Sequence, residues 1–162
     1  MALFPARRPQ GKTTGVVTSA ALALLCSGML AGASRQDPTQ QEFSKLEGAW
    51  VGVSAVQNGQ QLLAEQAKAL VLIFKQGSVT VRNGDRILQR ATVTLHIRDR
   101  PKGMDIERLE SDQRGKKLLA LYELDDGALK ICIAEAGTPR PKAFTTQPGS
   151  ATSLFELRRE RR

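Results

Sequence analysis

The clearest pattern in the chain is an alternation of apolar and polar positions that turns back on itself at Asp126-Gly127. Segments 118–125 and 128–134 flank this pair, and Asp-Gly between two alternating runs is among the strongest short-range signals for a two-residue hairpin. The register it dictates sets Leu124 opposite Leu129, Tyr122 opposite Ile131 and Ala120 opposite Ile133 on one face, with Glu123 opposite Lys130 and Leu121 opposite Cys132 on the other. The opposite charges land away from the aliphatic cluster, and a slip by one residue would bury them. A second hairpin is predicted at Gln76-Gly77, where 70–75 and 78–82 pair so that Phe74 faces Val79 and Leu72 faces Val81.

The remaining elements follow from capping and turn chemistry. Asp37-Pro38-Thr39-Gln40 offers an N-cap residue, proline at N1 and glutamine three positions on, and Phe43 and Leu46 then share a face before Gly48. This predicts a short leading helix whose apolar side must cover a sheet. A further helical turn is expected at 60–68, where Leu62, Leu63 and Ala67 cluster, and further strands at 49–56, 87–97, 103–109 and 153–159, with loops at 101–103 and 138–141. About eight strands in sequence order, with short connections and little helix, predict a mainly β fold: an antiparallel up-and-down β-barrel or a strongly curled sheet.

The first 33 residues are of a different kind. Arg7, Arg8 and Lys12 stand without an acid, an apolar run follows from 15 to 30, and Ala31-Gly32-Ala33 supplies small residues in A-x-A form. That order is expected of a cleaved signal peptide. The run is interrupted by Thr18, Ser19, Ser27 and Gly28 and falls short of the roughly 20 residues a membrane-spanning helix needs. The expected organisation is a signal peptide at 1–33, a leading segment with a short helix at 34–45, a barrel domain at 46–159 and a basic tail at 160–162. Export to the periplasm or the exterior is expected, with no integral membrane segment after cleavage.

Charge and composition narrow the function classes. The 162 residues carry 24 Lys and Arg against 16 Asp and Glu, a net +8, but the signal region holds three of these positives and 158–162 a net three more, leaving the folded body near +2. The basicity belongs to the ends. Phe43, Phe74, Phe144 and Phe155 lie in apolar segments rather than between basic residues, so no nucleic-acid footprint is expected. Cys132 is the one cysteine after residue 33 and no internal disulfide can form; inside a strand it reads as a small buried apolar residue. His96, the single histidine, sits between Leu95 and Ile97 with no acid pair or cysteine at ligand spacing. No metal, cofactor or catalytic constellation is expected, and the chain reads as non-enzymatic. Asp125-Asp126 before Gly127 reads as chemistry for a type I′ turn rather than as a carboxylate pair.

Leu46-Glu47-Gly48-Ala49-Trp50 resembles the L-x-G-x-W opening of lipocalin-like domains. The rest is similar to the small, uncharacterised secreted lipocalin-like domains of planctomycete bacteria. The likeness runs in order through Pro101-Lys102-Gly103-Met104-Asp105-Ile106, the hairpin from Leu121 to Cys132, Arg140-Pro141-Lys142-Ala143-Phe144, Gln147-Pro148-Gly149-Ser150 and Leu157-Arg158-Arg159. It departs at the arginine-rich end and in the highly charged stretch 111–117. The resemblance implies a lipocalin-like β-barrel with Trp50 near one end of the first strand and a basic residue of the last strand stacked on its indole. Strand parity puts Phe155, Leu157 and Arg159 on one face, which names Arg159 as that partner. The resemblance implies no activity.

Two readings of function follow. In the first, the barrel holds one small apolar or amphipathic ligand. Gly52 and Ser54 follow Trp50 on its face and Ala120 lies beside Tyr122, so the interior includes small side chains. The expected lining is Trp50, Leu72, Phe74, Tyr122, Ile131 and Ile133. In the second, the core is filled and the protein is a structural or protein-interaction domain of the cell envelope. Outward Leu119, Leu121 and Cys132 would then pack on a partner, and the basic tail would meet an anionic surface. Oligomeric state is left open.

Overall fold

In the computed structural model, which describes residues 37–161 other than Ser111 and Gln113, helix α1 (Pro38–Leu46) begins where its capping residues place it. The signal-peptide expectation at 1–33, and the basic tail's Arg162, lie outside the described residues. The Asp37 side chain accepts a hydrogen bond from the Thr39 backbone N–H at 3.0 Å, and Pro38 occupies the first turn, where its missing N–H costs nothing.

The chain then winds as β1 (Gly48–Gln57), β2 (Gln60–Gln61), α2 (Ala64–Ala69), β3 (Leu70–Lys75), β4 (Ser78–Asn83), β5 (Arg86–His96), β6 (Gly103–Arg108), β7 (Lys117–Asp125), β8 (Ala128–Ala134) and β9 (Thr152–Arg159). Every neighbouring pair is antiparallel and β9 returns to pair with β1. Among the described residues eight strands, β1 and β3 through β9, therefore close into an up-and-down barrel of lipocalin-like type, with β2 a short extension on the end of β1. Closure leaves the barrel wall without a free edge. Within the described residues no helix is long and apolar enough to cross a membrane.

The two hairpin registers are those the alternation predicts. Phe74 pairs with Val79 and Leu72 with Val81; Tyr122 pairs with Ile131, Ala120 with Ile133 and Glu123 with Lys130. Turn geometry differs in one respect. Gln76 and Gly77 both have positive φ, 49° and 72°, as a type I′ turn requires, whereas in the Asp126-Gly127 turn only Gly127 does, at 82°. The type I′ expectation at Asp126 is thereby corrected: Asp126 keeps ordinary backbone geometry, which avoids the left-handed region that its Cβ disfavours, and glycine alone takes the unusual angle.

Two bulges shift parity where strict alternation would carry it on. Between β1 and β9 the register steps at Gly52/Ser54, so Val53 is the extra residue and Ala55, rather than the expected Ser54, is the buried side chain. Between β4 and β5 the step leaves Leu88 unpaired, and Ile87 and Leu88 are 44% and 52% exposed. The helical turn expected at 60–68 is also shorter at its start, because Gln60 and Gln61 pair with β1 before α2 begins. Gly52 permits that helix to pack closely, since a Cβ there would collide with the backbone of Ala67.

Antiparallel winding gives the barrel two ends of unlike character. One gathers Gly48, Lys75, His96, Gly103, Asp125 and Arg159, and α1 leads directly into it. The other gathers Gln57, Leu70, Arg86, Arg108, Lys117 and Thr152. The inward rows join them in one core that includes Leu46, Trp50, Met104, Tyr122, Leu129 and Leu157.

Candidate functional site

At the α1 end, the helix is fixed by polar groups that all find partners. Trp50, 0% exposed, donates from Nε1 to the Leu46 carbonyl at 2.8 Å. The Arg159 guanidinium lies 4.3 Å from the Trp50 ring and donates to the Glu47 carbonyl and to that of Lys45. Three carbonyls at the C-terminus of α1, which no turn of helix can satisfy, thus receive donors from the barrel, and a guanidinium sits at the negative end of the helix dipole. Gly48 makes room for it: its φ is 117°, and a Cβ would come within 3.0 Å of the Arg159 guanidinium.

Glu42, on the inner face of α1, points into the same end. Its Oε1 accepts from Lys102 Nζ at 2.5 Å and from the Tyr122 hydroxyl at 3.3 Å, and Lys45 lies 3.6 Å from its Oε2. Burial pulls the Glu42 carboxyl upward, but the Lys102 hydrogen bond and charge, with smaller help from Lys45 and Tyr122, outweigh it and hold the pKa below the usual value. For Tyr122, burial and the neighbouring Glu42 charge act together and raise the phenol well above its usual value. Tyr122 is accordingly a neutral donor to a charged acceptor, in a dry plug.

Outside the wall, Arg140 performs a similar task for the segment 135–151. It donates to the carbonyls of Met104 and Ala120 and to Asp105, lying over Gly103, where a Cβ would come within 2.8 Å of it. His96 Nε2 lies 3.1 Å from the other Asp105 oxygen. Burial raises the Asp105 carboxyl, and hydrogen bonds and charge from Arg140 and His96 more than reverse this. The same segment places the Thr145 carbonyl 3.7 Å from the Cys132 thiol, and burial pushes that thiol's pKa up. A thiol so held is a poor nucleophile. Leu121 and Cys132, at 2% and 0% exposure, are already covered within the chain.

The opposite end is hollow. A cavity of about 600 Å³ runs into the barrel there, within the range of small-molecule pockets. Its deeper wall is apolar: Leu72, Phe74, Ile106, Leu118, Ile131 and Phe155. Towards the mouth the inward rows end in polar side chains, Gln57 of β1, Gln89 of β5, Arg108 of β6, Lys116 before β7, Glu135 after β8 and Ser153 of β9. Ion pairs near this end, Arg90 with Glu110, Lys117 with Glu107 and Arg82 with Asp85, lie on outward positions. Among the described residues, Arg108 Nε, by contrast, is buried without a hydrogen-bond partner.

The expected lining divides between the two ends. Leu72, Phe74, Ile131 and Ile133 line the cavity. Trp50 and Tyr122 do not, because their polar atoms are drawn to α1, to Leu46 and to Glu42, and both are packed into the plug. Leu118 and Ile106 complete the wall, and strand parity with Ala120 and Met104 could have named them. Arg108 and Lys116 carried no signal beyond being charges at strand ends. Comparison of the chain with protein-family models, with curated proteins and with solved structures returns no match. What the protein does has to be read from the cavity and its walls.

Proposed function

We propose that the protein binds one small apolar or amphipathic molecule in the open end of its barrel, as an exported, non-enzymatic carrier of lipocalin-like type. The observation that carries this reading is the cavity of about 600 Å³ with an apolar interior and a polar mouth. Packed cores contain few voids larger than a water molecule, so an apolar hollow of this size is a feature that side-chain packing would ordinarily remove. The alternative of an interaction domain with a filled core is left with a smaller docking face, since Leu121 and Cys132 are buried within the chain, Cys132 beside the Thr145 carbonyl, and Leu119 alone of the three stays half-exposed.

Trp50 stands outside the cavity, so its emission is not the right reporter. Displacement of a neutral solvatochromic dye by a series of alkyl compounds is. Each added methylene is worth about 0.8 kcal/mol when buried, about fourfold in affinity, until the cavity is filled. Affinity that climbs with chain length and then levels off is the expected result. Ile133→Trp, which fills the hollow from its wall, should abolish the climb; a dye that binds equally to both proteins, or no chain-length dependence, would refute the reading. Native mass spectrometry of protein taken from its own envelope would then identify the natural occupant.

A further inference from the structure

We infer that the occupant is a monoanionic amphiphile, with its carboxylate-type head held by Arg108 at the mouth and its apolar chain directed toward Phe74 and Ile131. This rests on the cavity reading and adds the ligand's charge and orientation to it.

Three features place the head. Arg108 belongs to the inward row of β6, two residues beyond Ile106 and four beyond Met104, so its stem leaves the apolar wall and its guanidinium ends in the polar mouth. Its Nε is buried with no acceptor among the described residues. A buried donor without a partner costs more than a satisfied one gains, and charged donors cost most; an occupant that brings an anionic acceptor removes that cost. Arginine also offers its N–H groups as a planar fork that matches a carboxylate with two parallel hydrogen bonds.

The rest of the mouth fixes the net charge. Lys116 stands on the inward row of the neighbouring strand, one residue before β7, and lines the same cavity. Among the described residues, Glu135 is the one acid on that lining. Two cations and one anion leave a single unit of positive charge facing the hollow, which suits one negative head rather than a dianion or a cation. Among the described residues, the ion pairs of this end engage Arg82, Arg90 and Lys117 and leave Arg108 and Lys116 out. Gln57, Gln89 and Ser153 add neutral hydrogen-bonding groups around the rim. The opposite orientation would bury a carboxylate against Leu72 and Phe74, where nothing charged awaits it.

The test holds the tail constant and varies the head. The full chain, loaded with the neutral dye, is titrated at pH 8 with dodecanoate, dodecanol, dodecyltrimethylammonium and, as a head without a tail, acetate. Dodecanoate should compete about ten- to a hundredfold better than dodecanol, the span expected for hydrogen bonds to a charged group, and the cationic compound worse than either. Arg108→Gln should remove most of the advantage of dodecanoate and leave dodecanol unchanged. Arg108→Lys, which keeps the charge and loses the fork, should fall between, and Lys116→Gln provides a second reading on a more exposed side chain. Equal competition by dodecanoate and dodecanol overturns the anionic head while sparing the cavity reading. Competition by acetate overturns the amphiphile, and failure of every dodecyl compound overturns both proposals together.

Discussion

The two ends of this barrel are built from the same eight strands and the same inward alternation, yet one is stopped and the other is hollow. At the α1 end the polar groups that hold the helix are partnered from across the fold: Trp50 with Leu46, Arg159 with Glu47 and Lys45, Tyr122 and Lys102 with Glu42; among the described residues His96 Nε2, at the same end, is buried without a hydrogen-bond partner and has Asp105 Oδ2 3.1 Å away. At the far end buried apolar side chains surround free volume beneath a polar mouth, and among the described residues Arg108 Nε has no hydrogen-bond partner. Satisfied polar networks rigidify and specify one arrangement, whereas an unsatisfied donor beside a hollow costs stability that an acceptor entering the hollow would restore. The difference is what the proposed binding at the open end rests on.

Replacing Trp50 with Ala should break that contrast most severely, with a loss of about 3–5 kcal/mol in denaturant unfolding, because the cut removes a fully buried indole, its hydrogen bond to Leu46 and the surface on which Arg159 stacks. Glu42→Gln should cost less, about 1–2 kcal/mol, since Lys102 then loses a charged acceptor but keeps some contact with solvent. The pH dependence gives that second variant its signature. A carboxyl whose folded pKa lies below the ordinary 4.5 contributes stability that is present above that value and is lost as pH falls through the folded value. Unfolding measured from neutral pH downward should show the two proteins differing at pH 7 and converging in acid. A difference that persists or grows at low pH would contradict the placement of charge on Glu42. Asp105, lowered by Arg140 and His96, should leave a residual acid loss in both.

Smaller effects belong to the open end. Ile133→Ala should cost only about 1 kcal/mol, because the side chain already borders free volume and its loss opens little that was packed; dye affinity should drop at the same time. Gln76→Asn should raise stability by about 0.5 kcal/mol, since asparagine tolerates the positive φ of 49° better than glutamine, and thermal unfolding would detect it.

What could be read in the chain before its structure follows from the range of the forces involved. Hairpin register is local: two strands and a two-residue turn contain nearly all the information that pairs Tyr122 with Ile131, so alternation sufficed. The capping of α1 by Asp37 and Pro38 is local in the same sense. Ser54 was misplaced because the bulge at Val53 arises from how β1 must meet both β3 and β9, contacts more than 90 residues apart in the second case. Trp50 and Tyr122 were assigned to the lining for a related reason. Alternation shows that they point inward, but not at which level along the barrel axis α1 stops it. That level depends on Glu42 reaching Tyr122 across 80 residues. Arg108 was passed over because a charge at a strand end is ordinarily solvated, and only the closed barrel turns this one inward.

Methyl-resolved NMR of the protein titrated with dodecanoate tests the division of labour most directly. Ile106, Leu118, Ile131 and Ile133 methyls should shift with ligand, while Leu46, Leu129 and the Trp50 indole N–H stay where they are. Large shifts in the plug, with the open end unchanged, would contradict it.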